Sequence, residues 1–111
     1  MAVREYRGHR HGVFGDEWEV YVVDAQRKAT NLPPRNDLGD HSPDGLGWGY
    51  SGSGPAQLAL ALLAHHLGDD AEALRLYQPF KDAVVAAMDQ ESDWTLTPEQ
   101  INRGIAAAEA I

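Results

Sequence analysis

The segment Pro55 to Leu67, PAQLALALLAHHL, limits the fold more than any other part of the chain. Ser53 is placed to cap a helix, and Pro55 sits in the first turn, where its missing N–H costs nothing. Gly68 follows Leu67 as the terminator. At helical spacing Leu58, Ala61, Leu62 and His65 share one face, while Ala56, Leu60, Leu63 and Leu67 share another. A helix apolar around so much of its circumference has to be enclosed, so it is expected at the centre of the molecule. The apolar run Leu58–Leu67 is far shorter than the roughly 20 residues a bilayer requires.

The enclosing pieces can be read on either side of it. Val3–Arg7 and Glu17–Asp24 read as strands. In the second, Trp18, Val20 and Val22 face one way and Glu19, Tyr21 and Val23 the other, the alternation of a half-buried antiparallel strand. Gly8, Gly12 and Gly15 between them suit a hairpin loop, and Asp24 to Arg27 a second turn. A short third strand follows around Lys28–Leu32, which Pro33-Pro34 ends for want of a backbone donor. Residues 33–54 form a long irregular segment. Its Trp48 and Tyr50, alternating with glycines, point to packing rather than disorder.

Beyond Gly68, a second helix starts at Asp69 or Asp70 and buries Ala73, Leu76 or Tyr77, Phe80, Val84 and Met88. Pro79 predicts a kink, or two shorter helices meeting at Gln78-Pro79. Trp94–Leu96 fits a short extended piece. Thr97, Pro98 and Gln100 then open a last helix over Pro98–Ala110 that buries Ile101 and Ile105. The expected fold is α+β: a small N-terminal antiparallel sheet or hairpin of two to three strands packed on about three helices. It forms one domain over 1–111, with strands in 1–32, the structured loop in 33–54 and helices in 55–111.

Charge is unevenly spread. Residues 1–36 carry six bases against five acids, and residues 37–111 carry three bases against twelve acids, which together give the net −8. An acidic surface repels phosphate backbones, so direct binding of nucleic acid is not expected, and a basic protein partner fits better. The absence of cysteine excludes disulfides, thiolate nucleophiles and zinc–thiolate sites. The opening MAVREYRGHR lacks a hydrophobic signal core, which leaves a cytoplasmic location as the expectation.

LPPRNDL (Leu32–Leu38), HSPDGLGWGYSGSGPAQLALALLAHHLGDD (His41–Asp70), LYQPFKDAVVA (Leu76–Ala86) and WTLT (Trp94–Thr97) resemble an uncharacterised domain-of-unknown-function family. That family is found in bacteria, haloarchaea, plasmids and phages, and WGYSGSGPAQLALALL is its most specific stretch here. The resemblance implies accessory work on mobile elements and carries over no activity or site residue. The long segment GVFGDEWEVYVVDAQRKAT and Pro79 depart from the family's usual pattern.

Four features have residue types with chemistry to offer. Ser51, Gly52, Ser53 and Gly54 run into a helix start, whose free N–H groups and dipole can hold a phosphate, although no lysine follows as in a Walker loop. His9 and His11 form an HxH pair and His65 adjoins His66, but neither pair supplies the three or four ligands a metal site needs, so no metal or cofactor is expected. Asp37, Asp40, His41 and Asp44 gather with Arg35 and Ser42, and read chiefly as turn formers. A Ser51, His41 and Asp37 triad can be written on paper without any nucleophile elbow around it, so no catalytic residue is assigned.

The acidic part suggests an interface of Trp48, Tyr50, Asp69, Asp70, Glu72, Asp82, Asp89, Glu91 and Asp93. The reading that follows is a non-enzymatic accessory protein that binds a basic partner, for instance by mimicking nucleic acid to inhibit a host defence complex. A small-molecule or phosphate-ligand domain built on Gly49–Pro55, which would admit enzymatic work, is the alternative. A homo-oligomer stays open.

Overall fold

The computed structural model describes residues 2–13, 15, 17–42 and 45–110. Three strands come first, β1 (Val3–His11), β2 (Glu17–Asp24) and β3 (Ala29–Asn31). The helices α1 (Ser53–Leu67) and α2 (Asp70–Phe80) follow, then a π-helical turn (Lys81–Val85), β4 (Trp94–Leu96) and α3 (Pro98–Glu109). The sheet is antiparallel in the order β3-β2-β1-β4, so the architecture is α+β. It has four strands rather than two or three, because Trp94–Leu96 returns to pair with Tyr6–Gly8 along the free edge of β1.

The first strand also runs further than its sequence suggests. Gly8 stays in the ladder opposite Val20 and Trp94, and pairing continues to His11. Glycine is present there for space: a Cβ on Gly8 would lie 2.2 Å from the Trp94 indole, which crosses the strand at that point. The third strand is shorter than expected, at Ala29–Asn31, and the Asp24 turn before it closes through the Arg27 N–H to the Asp24 carbonyl.

Register decides which side chains meet the core. Tyr6 opposite Val22, Gly8 opposite Val20 and Arg10 opposite Trp18 define the inner face, where the helices pack. Arg7, His9 and His11 lie on the other face, opposite Tyr21, Glu19 and Glu17. On the inner side, α1 is enclosed as its sequence requires: every residue from Gly54 to Ala64 is buried. Leu58, Leu60, Leu62 and Leu63 each contribute about 2 kcal/mol through apolar burial. Gly68 ends the helix in the left-handed conformation. The cap differs from expectation, being Gly52, with Ser53 the first helical residue and no side-chain hydrogen bond at the cap.

Asp69 caps α2 by accepting from the Glu72 N–H, and the Thr97–Gln100 capping box starts α3. Pro79 does not split α2. The helix passes through it and widens immediately afterwards, where the Ala86 N–H reaches back five residues to the Lys81 carbonyl. That extra residue shifts the phase of the buried face, so Val85 rather than Val84 is fully enclosed. The Val85 carbonyl then accepts from the N–H of Gly49, whose φ of +80° only glycine adopts freely.

Gln57, whose polar side chain is buried, ties the long loop to α1. Its Oε1 accepts from the N–H groups of His41 and Ser42, and its Nε2 donates to the Pro34 carbonyl at 2.6 Å. Replacing it by leucine keeps the volume and strands three backbone groups. Gln57→Leu is expected to lower unfolding stability by roughly 2–4 kcal/mol and to speed amide exchange at residues 41 and 42. Urea denaturation with hydrogen exchange measures both, and a loss under about 0.5 kcal/mol contradicts the assignment.

Candidate functional site

Trp48, proposed from sequence as an interface residue, is fully buried and cannot present a contact surface. Its indole packs 4.6 Å from Trp18 and edge-on to Trp94 at 5.7 Å, and its Nε1 donates to the Ser92 carbonyl. A tryptophan in a glycine-rich loop is here the plug between sheet and helices. Tyr50 is partly exposed and leans over the start of α1. A Cβ on Gly52 would lie 2.8 Å from its ring, and one on Gly54 would lie 2.5 Å from its hydroxyl. The Ser51–Gly54 turn is therefore packed by the protein's own phenol, and Pro55 removes one of its donors.

The loop carboxylates and histidines are tied into structure. Arg35 pairs with Asp37 and reaches across to Asp70, which holds the Asp37 carboxyl below its ordinary range, chiefly through the Arg35 hydrogen bond. Asp40 accepts from Asn36, and the His41 ring shares a 2.7 Å hydrogen bond with the Tyr77 hydroxyl. Asp44, read from sequence as a turn former, lies outside the described residues. His65 bonds Tyr6 at 2.8 Å and His66 bonds Asn102. Burial pushes the Tyr6 phenol up to about 12, and desolvation followed by neighbouring His66 lowers His65.

The acidic residues are not a bare face. Asp70 meets Arg35, Glu72 meets Arg75, Asp82 meets Lys81 and Glu91 meets Arg10, all within ion-pair distance. Asp69 and Asp89 accept backbone N–H groups. Exposed pairs of this kind add between nothing and about 1 kcal/mol each, so their main effect is to position charge.

They gather it in two places. Around the start of α2, Asp37, Asp70, Glu72 and Glu109 share Arg35 and Arg75, with Asp69 beside them at the helix cap. At the loop end of the β1–β2 hairpin lie five more carboxylates: Glu91 pairs with Arg10, whose charge also acts on Asp89, while Asp93 meets His9 and both Glu17 and Glu19 meet His11.

The geometry of this hairpin end is specific. Arg10 lies 4.7 Å over the Trp18 ring, donates to the Gln90 carbonyl at 2.7 Å and reaches Glu91 at 3.3 Å. Its backbone N–H donates to Asp93 Oδ1, while Asp93 Oδ2 accepts from His9 Nδ1 at 2.7 Å. These two hydrogen bonds, the backbone one first, hold the Asp93 carboxyl below its ordinary range. Glu91 N–H and Ser92 do the same for Asp89. His11 lies 3.2 Å from Glu17 and 3.1 Å from Glu19. A groove of about 440 Å³ opens beside them on the exposed sheet face, lined by Arg7, His9, Tyr21, Val23, Asp93 and Thr95.

Sequence reasoning placed Asp89, Glu91 and Asp93 at an interface but missed Glu17, Glu19, His9, His11 and Arg10. The alternation in EWEVYVVD already put Glu19 and Tyr21 on one side; the pairing of β1 as far as His11 was the missing information. Among the described residues, no three His, Asp or Glu side chains converge as a metal-binding set, and no helix is long and apolar enough to cross a membrane.

The profile of a family of unknown function, DUF6166, matches residues 6–107. No curated protein and no solved structure matches the chain.

Asp93 offers a test of the hairpin-end network. A carboxyl held low by the fold contributes stability above the unfolded value of about 4 and loses it as pH falls through the folded value. Asp93→Asn is therefore expected to be less stable than the parent at pH 7, with the gap closing below about pH 4. Urea midpoints at pH 7 and pH 3 measure this, and a gap that persists unchanged at pH 3 contradicts it.

Proposed function

The chain belongs to the DUF6166 family, and we propose that it is a non-enzymatic protein-binding module that docks a basic partner through the carboxylate-rich end of its β1–β2 hairpin. One observation carries this reading: five carboxylates cluster there, Glu91 on Arg10, Asp93 on His9, Glu17 and Glu19 on His11 and Asp89 on backbone and Ser92, beside a groove on an exposed sheet face that Arg7 also lines. Internal pairing spreads the negative charge of the chain without cancelling it, because acids outnumber bases 17 to 9. A field of this sign steers cationic surfaces inward and repels phosphate backbones. Salt bridges to the fixed carboxylates of Asp89 and Asp93 would form without first ordering those groups, since hydrogen bonds already hold them.

The interface expected from sequence is thereby narrowed to its last three carboxylates, joined by Glu17 and Glu19. Mobile-element accessory work in the cytoplasm, with the partner a host nucleic-acid-handling or defence protein, is the biological form of this reading. The phosphate-ligand alternative has no comparable support, because Tyr50 fills the turn it would use.

A short lysine- and arginine-rich peptide titrated into isotope-labelled protein tests the proposal. Amide shifts are expected to concentrate at residues 9–11, 17–19 and 89–93, and to fade as ionic strength rises from about 0.05 to 0.5 M. Duplex DNA under the same conditions should produce none. Shifts scattered over the surface, shifts indifferent to salt, or equal shifts with DNA would overturn it.

A further inference from the structure

We propose that the outer face of the sheet is self-complementary, and that a second copy of this chain docks on it end for end as a weak dimer. Arg7 and His9 of β1 stand on this face with Glu19, Tyr21 and Val23 of β2, and Thr95 of β4 lies beside Arg7. The helices pack on the inner face instead, and neither Tyr21 nor Val23 joins the core cluster. The groove of about 440 Å³ runs over this surface, and its lining mixes Tyr21, Val23 and Ala29 with Arg7, His9 and Asp93.

An open antiparallel face is ordinary by itself, so charge has to identify the occupant. The two ends of the face differ in sign. At the loop end stand Glu17, Glu19 and Asp93, whose only ion-pair partners among the described residues are the imidazoles of His11 and His9. The other end, formed by the start of β1 and the turn after β2, holds four bases, Arg4, Arg7, Arg27 and Lys28, against the acids Glu5 and Asp24. Arg4 and Arg7 there share the single carboxylate of Glu5. Asp24 is turned onto the backbone N–H groups of Gln26 and Lys28, and Arg27 has no ion-pair partner among the described residues.

A surface with opposite signs at its two ends fits itself when one copy is reversed about a two-fold axis. Arg7 of each copy then approaches Glu19 of the other, and the Tyr21 rings lie near the middle of the contact. A basic partner matches only the loop end, whereas a second copy matches the whole face. At ordinary strand rise and spacing the face covers roughly 500 Å² per copy. The pair therefore buries on the order of 1,000 Å², the lower limit for a specific interface, which makes the dimer weak and reversible. Glu17 and Glu19 serve this contact and the partner site alike, so a docked copy excludes the partner there. The dimer does not rest on the basic-partner reading, because the protein alone tests it.

Sedimentation equilibrium of the full chain, from about 5 µM to about 1 mM, reads the association directly. A dimer with Kd on the order of 100 µM is expected at about 0.05 M salt, weakening about tenfold at 0.5 M. Arg7→Glu and Glu19→Lys should each weaken it by about tenfold, and the two combined should recover most of the loss, since the exchanged signs pair again across the axis. Arg103→Glu, on α3, alters net charge as much as Arg7→Glu and should leave association unchanged. Circular dichroism establishes that each variant is folded. A chain still monomeric at about 1 mM, a dimer as sensitive to Arg103→Glu as to Arg7→Glu, or a double variant no better than the single ones would overturn the proposal. Monomeric protein whose amides at residues 7, 21 and 95 shift with the basic peptide would assign the face to the partner and overturn it equally.

Discussion

A helix with no solvent face governs this molecule. From Gly54 to Ala64 α1 offers apolar or small side chains in every direction, so it must be covered by sheet, helices and loop alike. The inner sheet face supplies Tyr6, Val20 and Val22, α2 and the turn after it supply Leu76, Phe80 and Val85, and the long loop contributes Leu32 and Trp48. Gln57 is the exception that makes the loop stay: one buried amide holds three backbone groups against the helix. The irregular stretch between β3 and α1 is therefore part of the core's wall.

Enclosing α1 on all sides leaves no interior room for charged groups, which are displaced to the rim. Most are tied down there by arginine or by backbone N–H groups, and the loop end of the hairpin gathers carboxylates beside Arg10, His9 and His11. Strand parity produces this. The same alternation that turns Trp18 and Val20 inward sends Glu17 and Glu19 outward, opposite His11 and His9. The return of β4 then brings Asp93 to His9 and anchors Gln90 and Glu91 on Arg10.

Much of the fold could be read from residues in isolation, because local chemistry determined it. The terminator Gly68, the Asp69 start and the Thr97–Gln100 box all lie within a few residues of the groups they satisfy. What escaped the reading depended on distant partners. The extent of β1 hinged on Trp94 crossing Gly8, some 86 residues away. Trp48 reads as a loop aromatic until Trp18 and Trp94 close around it, and Pro79 reads as a break until the wider turn after it absorbs the strain. The candidate site was legible only in part for the same reason. Asp89, Glu91 and Asp93 stand out by their spacing, whereas Glu17 and Glu19 join them only through sheet register.

Native-state hydrogen exchange tests the dependence on α1 most directly. If the helix is the strut around which everything closes, its amides from Leu58 to Ala64 open only when the whole chain unfolds. Their opening free energy should then equal the global value and exceed that of β3, β4 and the ends of the hairpin. Opening of α1 while the β1–β2 ladder remained protected would contradict this account.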